Sequence, residues 1–290
     1  MDLDYDQKPN LLTGKYQFWR YLLVTVVIVG VTLISQLILI FIGSIFEGNL
    51  DVMQYSSITL LWVSMLPFAF LLLFLVLGIR FVHHQKVKSI FTQKGSFNKR
   101  LLLISFVLWF VLSGISDIFL ALLQPGNYVF TFNIGKFLPY MLMAFFLVLL
   151  QITAEEVLFR HYFLHGFSRL FRFPWIAIVA QAIIFGLLHG ANPEVTAYGL
   201  LTTMPFYIGM GLVLGWFSIR SKGLEIALGL HFANNIYATS MVTFNESAIP
   251  SPAIFTINNY QPEVGLIIFV AITLIFSLIM IPEIKRTLKE

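Results

Sequence analysis

Long apolar runs are the feature that most limits how this 290-residue chain can fold. A helix crosses the bilayer core of about 30 Å with about 20 consecutive apolar residues, and the sequence contains runs close to that length. We predict spans near residues 19–46, 58–80, 101–123, 137–160, 174–190, 196–219, 224–243 and 264–282. The chain is therefore predicted to be an all-α, polytopic transmembrane helical bundle of about eight spans.

Composition supports a membrane protein and excludes several kinds of site. Hydrophobic residues make up 58% of the chain and charged residues only 11%, whereas soluble domains have about 25% charged residues. The chain contains no cysteine, which excludes disulfides, thiolate zinc sites and a cysteine nucleophile. Any catalytic or metal site must therefore use His, Glu, Asp, Asn, Ser or Thr.

The distribution of Lys and Arg predicts the orientation of the chain. These residues crowd before span one, between spans two and three, after spans four and six, and at the C-terminal end, whereas the alternate loops contain only Lys136. Because basic residues favour short cytoplasmic loops, we predict that both termini are cytoplasmic. The net charge of +4 is then explained by anionic membrane lipid as a partner, with no nucleic acid. We expect a single integral membrane domain over residues 1–290, in a bacterial plasma membrane.

Ionisable residues inside the predicted spans are candidate functional residues, because burying a charge in lipid is costly. They are Asp117, Glu155, Glu156, Arg160, His189 and His231. Glu156 and Arg160 lie four residues apart on a helix, a spacing and order that favour an ion pair. Glu155 points about 100° away from that pair. We therefore interpret Glu156 and Arg160 as structural and Glu155 as free for chemistry; a packing salt bridge of all three is the alternative. Asp117 is expected to hydrogen-bond a neighbouring span.

Two further pairs of residues share a helix face at the same spacing, Phe185 with His189 and His231 with Asn235. Counted from the cytoplasmic turns at 1.5 Å per residue, these polar residues and Glu155 lie about 13 to 25 Å along their helices. We therefore predict that spans four, five and seven bring them together in the cytoplasmic half of the membrane. Span five is predicted to end near His189.

The three motifs resemble a known family. Glu-Glu-x-x-x-Arg at 155–160, Phe-x-x-x-His at 185–189 and His-x-x-x-Asn at 231–235 are similar, in order and spacing, to those of the CPBP family. This family comprises the CAAX proteases and bacteriocin-processing enzymes, also called Abi or type II CAAX prenyl endopeptidase-like proteins. The resemblance covers a motif-bearing core at about residues 137–243. It implies an intramembrane endopeptidase that cuts a membrane-associated peptide or protein.

The resemblance also implies roles for the motif residues. Glu155 and His189 would activate a water, while His231 and Asn235 would stabilise the oxyanion of the tetrahedral intermediate. Structural support would come from the remaining motif residues, Glu156, Arg160 and Phe185. The competing family interpretation makes Glu155, His189 and His231 the ligands of a catalytic zinc with an open position. We favour no cofactor and keep the zinc-dependent protease as the alternative.

One position departs from the family pattern. His161 follows the motif arginine, where the family commonly has a small residue. On an α-helix His161 is rotated about 240° from Glu155. We therefore interpret His161 and its i+4 neighbour His165 as interfacial histidines rather than metal ligands.

Other functional classes are weighed against this enzyme. A catalytically silent membrane scaffold of the same fold, binding a sensor kinase or a bacteriocin-system partner, is the main rival. A proton-relaying transporter is less favoured because the sequence shows no internal repeat. The chain contains no His-Glu-x-x-His, Gly-x-Ser-x-Gly or Gly-x-Gly-Asp motif, so the glutamate-and-histidine protease is the hydrolase that its residues support.

Overall fold

The computed structural model describes residues 14–288 as a helical bundle with three short strands at one end. Its eight main helices are α1 (Phe18–Glu47), α2 (Ser57–Val82), α3 (Lys99–Leu123), α4 (Ile134–Leu170), α5 (Pro174–Leu188), α6 (Leu200–Ser221), α7 (Glu225–Ser240) and α8 (Pro262–Thr287). Shorter helical segments lie at Val52–Gln54, Lys88–Phe91 and Pro193–Tyr198. The prediction of orientation also used Lys8 and Lys289, which lie outside the described residues.

The predicted fold class, a polytopic helical bundle, is confirmed. Within residues 14–288, six helices are long and apolar enough to cross a membrane, namely α1 to α4, α6 and α8. Helices α5 and α7 have 15 and 16 residues, fewer than the roughly 20 that a full crossing needs. The count of eight spans and the cytoplasmic termini therefore stay predictions. Helix α5 ends where the sequence predicts, with His189 as its C-terminal cap.

Helix α7 is enclosed by protein on most sides. It packs against α3, α4 and α6, and its buried residues include polar ones such as His231. Gly229 allows α3 to come close, since a Cβ at this position would overlap the Leu102 carbonyl oxygen and the Ser105 hydroxyl. Because a helix buried all round faces protein rather than lipid, the polar side chains of α7 lie inside the bundle.

Close packing against α6 fixes the position of α5. A Cβ at Gly211 would lie only 2.8 Å from the Ala182 Cα atom, so the two backbones are in near contact. Gln181 on α5 donates from Nε2 to the Gly211 carbonyl oxygen at 2.7 Å. These contacts hold α5 against α6, and hence fix the position of His189 at the end of α5.

Helix α4 is long and changes its geometry partway along. Its 37 residues extend about 55 Å at 1.5 Å per residue, more than the apolar core of a bilayer. The segment Val157–Phe163 is π-helical, a wider turn with i to i+5 hydrogen bonds that is frequent at functional sites. Since this segment begins directly after Glu156, the 100° spacing of an α-helix does not hold for His161.

A three-stranded sheet, which the sequence analysis did not anticipate, joins the loops at one end of the bundle. Its strands are β1 (Tyr128–Phe130), β2 (Val242–Phe244) and β3 (Phe255–Ile257), in the order β1-β3-β2. The β1 and β3 strands are antiparallel, whereas β2 and β3 are parallel. The sheet therefore links the α3–α4 loop to the loop that follows α7.

Candidate active site

Helix α4 carries two adjacent buried glutamates that have different partners. Glu155 is 6% exposed and Glu156 is fully buried. Gln151, one turn earlier, donates from Nε2 to Glu155 Oε1 at 2.6 Å. The other oxygen, Glu155 Oε2, is buried and has no hydrogen-bond partner among the described residues. Glu155 therefore keeps one oxygen available to accept a further hydrogen bond.

Glu156 contacts both Arg160 and His231 through a single carboxylate oxygen. Its Oε1 lies 3.2 Å from Arg160 NH1, so the ion pair expected from their spacing is present, with both side chains fully buried. The same oxygen lies 2.7 Å from His231 Nδ1. The Arg160 guanidinium also lies over the Phe185 ring, 4.5 Å from its centroid. Glu156 thus holds Arg160 and, in addition to the predicted role, orients a histidine of another helix.

His231 and Asn235 bring α7 to the two glutamates of α4. His231 Nε2 lies 3.7 Å from Glu155 Oε2. Asn235 donates from Nδ2 to Gln151 Oε1 at 3.2 Å. We call Gln151, Glu155, Glu156, Arg160 and His231 the glutamate cluster. The predicted meeting of spans four and seven is thus seen directly in these distances.

The partner of Nδ1 determines how His231 can act. A carboxylate can only accept a hydrogen bond while it is ionised, so Nδ1 carries a proton and donates it to Glu156. Nε2 then faces Glu155 with either a lone pair or a second proton. His231 therefore links the two glutamates, with Nδ1 on Glu156 and Nε2 facing Glu155.

His189 lies near this cluster and does not bond to it directly. Its Nδ1 donates to the Phe185 carbonyl oxygen at 2.7 Å, which leaves the lone pair on Nε2. The His189 ring lies 4.5 Å from the Phe185 ring, and the Phe185 ring lies 6.0 Å from that of His231. Among the described residues, no hydrogen bond joins His189 to Glu155. Phe185 therefore contacts the rings of both His189 and His231.

The three proposed zinc ligands do not converge on one point in this arrangement. Over residues 14–288, no group of three or more His, Asp or Glu side chains is placed to hold a metal ion. Glu155 and His231 adjoin each other, whereas no hydrogen bond or ion pair among the described residues joins His189 to either of them. The proposed zinc ligands do not fit a metal ion in this arrangement, and no reaction step is derived through one.

A second buried polar cluster lies further along α4. We call His83, Gln85, Gln93, His161 and His165 the histidine cluster. Nε2 of His161 lies 3.2 Å from Gln85 Oε1, and Nε2 of His165 lies 2.6 Å from Gln93 Nε2. His83 binds the Lys15 carbonyl oxygen through Nδ1 at 2.8 Å.

His165 is partly buried, whereas the interpretation of its neighbour His161 as interfacial is wrong. It is only 3% exposed and lies inside the protein. The π-helical segment and the loop after α2, which supplies Gln85, enclose it. A cavity of about 10 Å³ adjoins it, lined by Tyr16, Tyr21, Gln85, His161, Tyr162, His165 and Arg169, a volume close to that of one water.

Three residues of the site region were not singled out from the sequence. Gln151 stands four residues before Glu155, and this i, i+4 spacing was a usable signal. Tyr207 on α6 stacks on the His189 ring at 4.4 Å, and Glu194 accepts a hydrogen bond from the Tyr207 hydroxyl. No spacing rule connects Tyr207 or Glu194 with His189, since they lie on separate elements.

Comparison with known proteins agrees with the motifs. Residues 136–237 match the family model described as type II CAAX prenyl endopeptidase Rce1-like. The chain is 26% identical to the uncharacterized protein YyaK of Bacillus subtilis (strain 168) over 276 residues. The matched region covers 92% of each of the two chains. No solved structure matches the chain. The chain therefore carries an Rce1-like domain at residues 136–237, in agreement with the resemblance of its three motifs.

Proposed function

We propose that this multi-pass membrane protein hydrolyses one peptide bond of a membrane-associated peptide or protein, with Glu155 activating the water. The Rce1-like domain supports the protease class. The observation that carries the mechanism is the Glu155 Oε2 oxygen, which is buried, lacks a hydrogen-bond partner among the described residues and lies 3.7 Å from His231 Nε2. A base and a donor thus face each other across a short gap.

That gap suits a water molecule. Two polar atoms 3.7 Å apart are too distant for a direct hydrogen bond and close enough for one water to contact both. Gln151 holds the other oxygen of Glu155, so the carboxylate is fixed while Oε2 receives the proton. Such positioned proton transfer contributes about 10² to 10⁴ in rate.

His189 is the proposed second base. Its Nε2 carries the lone pair, because Nδ1 donates to the Phe185 carbonyl. Catalytic hydrogen bonds often tighten only when the substrate is bound. We expect the substrate complex to bring His189 Nε2 within hydrogen-bond reach of the water.

His231 and Asn235 are the proposed oxyanion donors. A protonated His231, held at Nδ1 by Glu156, presents an N–H at Nε2. Asn235 uses one amide hydrogen on Gln151 and has a second to offer. Removing one such donor typically costs about 3 to 4 kcal/mol in transition-state stabilisation.

The reaction balances with these residues alone. Glu155 takes a proton from water as the water oxygen bonds to the substrate carbonyl carbon, and the carbonyl oxygen becomes the oxyanion. The C–N bond then breaks as the proton passes to the leaving nitrogen. The products are a carboxylic acid, which keeps the second proton of the water, and an amine, and Glu155 is ionised again.

Peptide cleavage by the purified chain tests this proposal. Wild type and Glu155→Ala, in lipid nanodiscs, would be incubated with a quenched-peptide library derived from membrane proteins, with and without a zinc chelator. We expect cleavage by wild type in both conditions and none by Glu155→Ala. Loss of wild-type cleavage with chelator, restored by added zinc, would establish the metalloenzyme instead.

A control variant separates loss of chemistry from loss of structure. Glu283→Gln opens the partly exposed pair of Arg100 and Glu283, whose atoms lie 3.0 Å apart, and leaves the glutamate cluster intact. It should cleave like wild type. Identical product patterns from wild type and Glu155→Ala would point to the scaffold that binds a membrane partner.

The similarity to a Bacillus subtilis protein supports a bacterial plasma membrane as the location.

A further inference from the structure

The buried Glu194 and the partly buried Tyr207 form a polar unit that the proposed reaction does not use. The Tyr207 hydroxyl donates to Glu194 Oε1 and accepts from Asn192 Nδ2 at 2.9 Å. Glu194 is only 8% exposed, and its Oε2 has no hydrogen-bond partner in the described part of the chain. Burying a carboxylate without a cation costs free energy of folding. The presence of Glu194 at this position therefore indicates a role other than stabilising the fold.

The same unit holds the ring of His189. The Tyr207 and His189 rings are stacked, with centroids 4.4 Å apart and planes 24° from parallel. Phe185 supplies the other aromatic contact of His189, at 4.5 Å, as well as the carbonyl that accepts from Nδ1. His189 itself caps the end of α5. Its imidazole is therefore oriented by one hydrogen bond within its own helix and by a tyrosine ring from α6.

The loop after α5 completes the connection. Asn192 and Glu194 flank the start of the short helix Pro193–Tyr198, and both bond to the Tyr207 hydroxyl. The chain that follows His189 therefore turns back onto α6 and fixes the residue on which the His189 ring stacks. These bonds tether the Tyr207 hydroxyl, and with it the ring, beside the imidazole.

We propose that Tyr207 and Glu194 are positioning residues for His189: Glu194 fixes the Tyr207 ring, and that ring holds the imidazole in the orientation from which Nε2 reaches the water in the substrate complex. This proposal rests on the proposed function, in which His189 is the second base. The unit acts through His189 and touches no reacting atom. A misplacement of about 1 Å at a reacting group can cost about 10² in rate, which is the scale of effect that such a unit prevents.

Kinetics on matched variants test the proposal. Glu194→Ala should lower kcat about 10- to 100-fold, with KM unchanged within about twofold because substrate binding is not altered. Glu194→Gln should retain most of the activity, since its amide oxygen still accepts from the Tyr207 hydroxyl. Tyr207→Phe keeps the stacked ring and removes the hydroxyl, so it should behave as Glu194→Ala with a smaller loss.

The chain offers a matched control. The Tyr198 hydroxyl donates to Glu246 Oε2 at 2.7 Å, a second tyrosine–carboxylate pair, and the Tyr198 ring contacts Phe244 and Tyr260. Glu246→Ala should therefore leave kcat at the wild-type value. Equal losses in Glu194→Ala and Glu246→Ala would overturn the proposal, as would wild-type kcat in a folded Glu194→Ala protein.

The ¹⁵N NMR spectrum of the labelled imidazoles gives a readout that does not depend on protease activity. The His189 signals, assigned with His189→Gln, should show a single tautomer with the proton on Nδ1 in wild type and a mixture in Glu194→Ala and Tyr207→Phe. An unchanged His189 tautomer in both variants would contradict the positioning role. If wild type cuts no peptide, the proposed function fails, and this spectrum still decides whether Tyr207 and Glu194 position His189. If Glu194→Ala does not fold, Tyr207→Phe, which keeps the ring, gives the deciding spectrum.

Discussion

Helix α4 supplies side chains to two buried clusters that both contain histidine, and the clusters differ in charge. The glutamate cluster combines two carboxylates, a guanidinium and His231, all of them at most 6% exposed. The histidine cluster pairs its imidazoles with amide side chains and backbone carbonyls. Neutral hydrogen-bonded groups add modest stability to a fold. Buried charges often stabilise a fold less than apolar residues of the same size would.

The two clusters also differ in how many of their polar atoms have a hydrogen-bond partner. In the glutamate cluster, one oxygen each of Glu155 and Glu156 lacks a hydrogen-bond partner among the described residues. In the histidine cluster, both ring nitrogens of His165 are bonded, one to the His161 carbonyl and one to Gln93. Spare acceptor capacity is what a general base needs. The contrast therefore supports the proposal that the glutamate cluster carries the chemistry and the histidine cluster gives structural support.

The largest expected effect is on catalysis by the glutamate cluster. Glu155→Gln should lower kcat by about 10² to 10⁴, because the amide cannot take a proton from water. Its oxygen can still accept from Gln151, so the unfolding temperature should stay at the wild-type value. Peptide-cleavage kinetics and thermal unfolding in nanodiscs check this. A variant that keeps near wild-type kcat would remove Glu155 from the mechanism.

Glu156→Gln should mainly affect stability. It leaves the fully buried Arg160 without its carboxylate, and breaking a buried ion pair from one side costs about 3 to 5 kcal/mol. Activity should fall as well, since His231 loses its charged partner. Glu283→Gln, at the partly exposed pair with Arg100, should cost about 1 kcal/mol or less. Denaturant unfolding of both variants measures the difference in unfolding free energy. Equal losses of free energy would show that the burial of Glu156 and Arg160 does not determine the cost of breaking their pair.

His161→Ala tests the structural side of the comparison. It removes the bond to Gln85 and leaves a buried amide oxygen unpaired, at a cost of about 1 to 3 kcal/mol. The value of kcat should not change, because the histidine cluster takes no part in the reaction. A kcat loss as large as that of Glu155→Gln would break the distinction between the clusters.

The smallest expected effect is a pH dependence from His83. Burial, together with the nearby Arg20 charge, lowers the pKa of His83 from its ordinary value of 6.5, although its bond to Lys15 opposes this shift. As the pH falls, His83 therefore binds a proton in the unfolded chain at a higher pH than in the folded protein. The stability that comes from keeping His83 neutral is complete above the unfolded-state pKa. It is lost as the pH falls from there through the folded-state pKa.

Thermal unfolding measured from about pH 8 to about pH 5 checks the effect of His83. The unfolding temperature should decrease towards acid in wild type and decrease less in His83→Gln. His84→Gln, at the exposed neighbouring position, is the control and should follow wild type. A profile for His83→Gln that matches wild type would show that His83 does not contribute.

Much of the fold was predictable because helix length and hydropathy follow directly from the order of residues. The apolar runs indicated the bundle, and the i, i+4 spacing of Glu156 and Arg160 indicated an ion pair that is present. Asp117 accepts from Tyr237 on α7 at 2.8 Å and from Tyr128 at 2.7 Å, in line with the expected bond to a neighbouring span.

What the sequence did not indicate depends on tertiary packing. The π-helical segment changes the angular spacing after Glu156, so an α-helical count placed His161 wrongly. The contact of Glu156 with His231 joins residues 75 positions apart, and the stacking of Tyr207 on His189 joins two helices. No local periodicity encodes either contact.

The most direct test of the comparison measures kcat and unfolding temperature on the same nanodisc samples of Glu155→Gln and His161→Ala. The two clusters predict opposite patterns. Glu155→Gln should be inactive at wild-type stability, and His161→Ala should be active at reduced stability. Parallel loss of both properties in both variants would contradict the assignment of chemistry to the glutamate cluster alone.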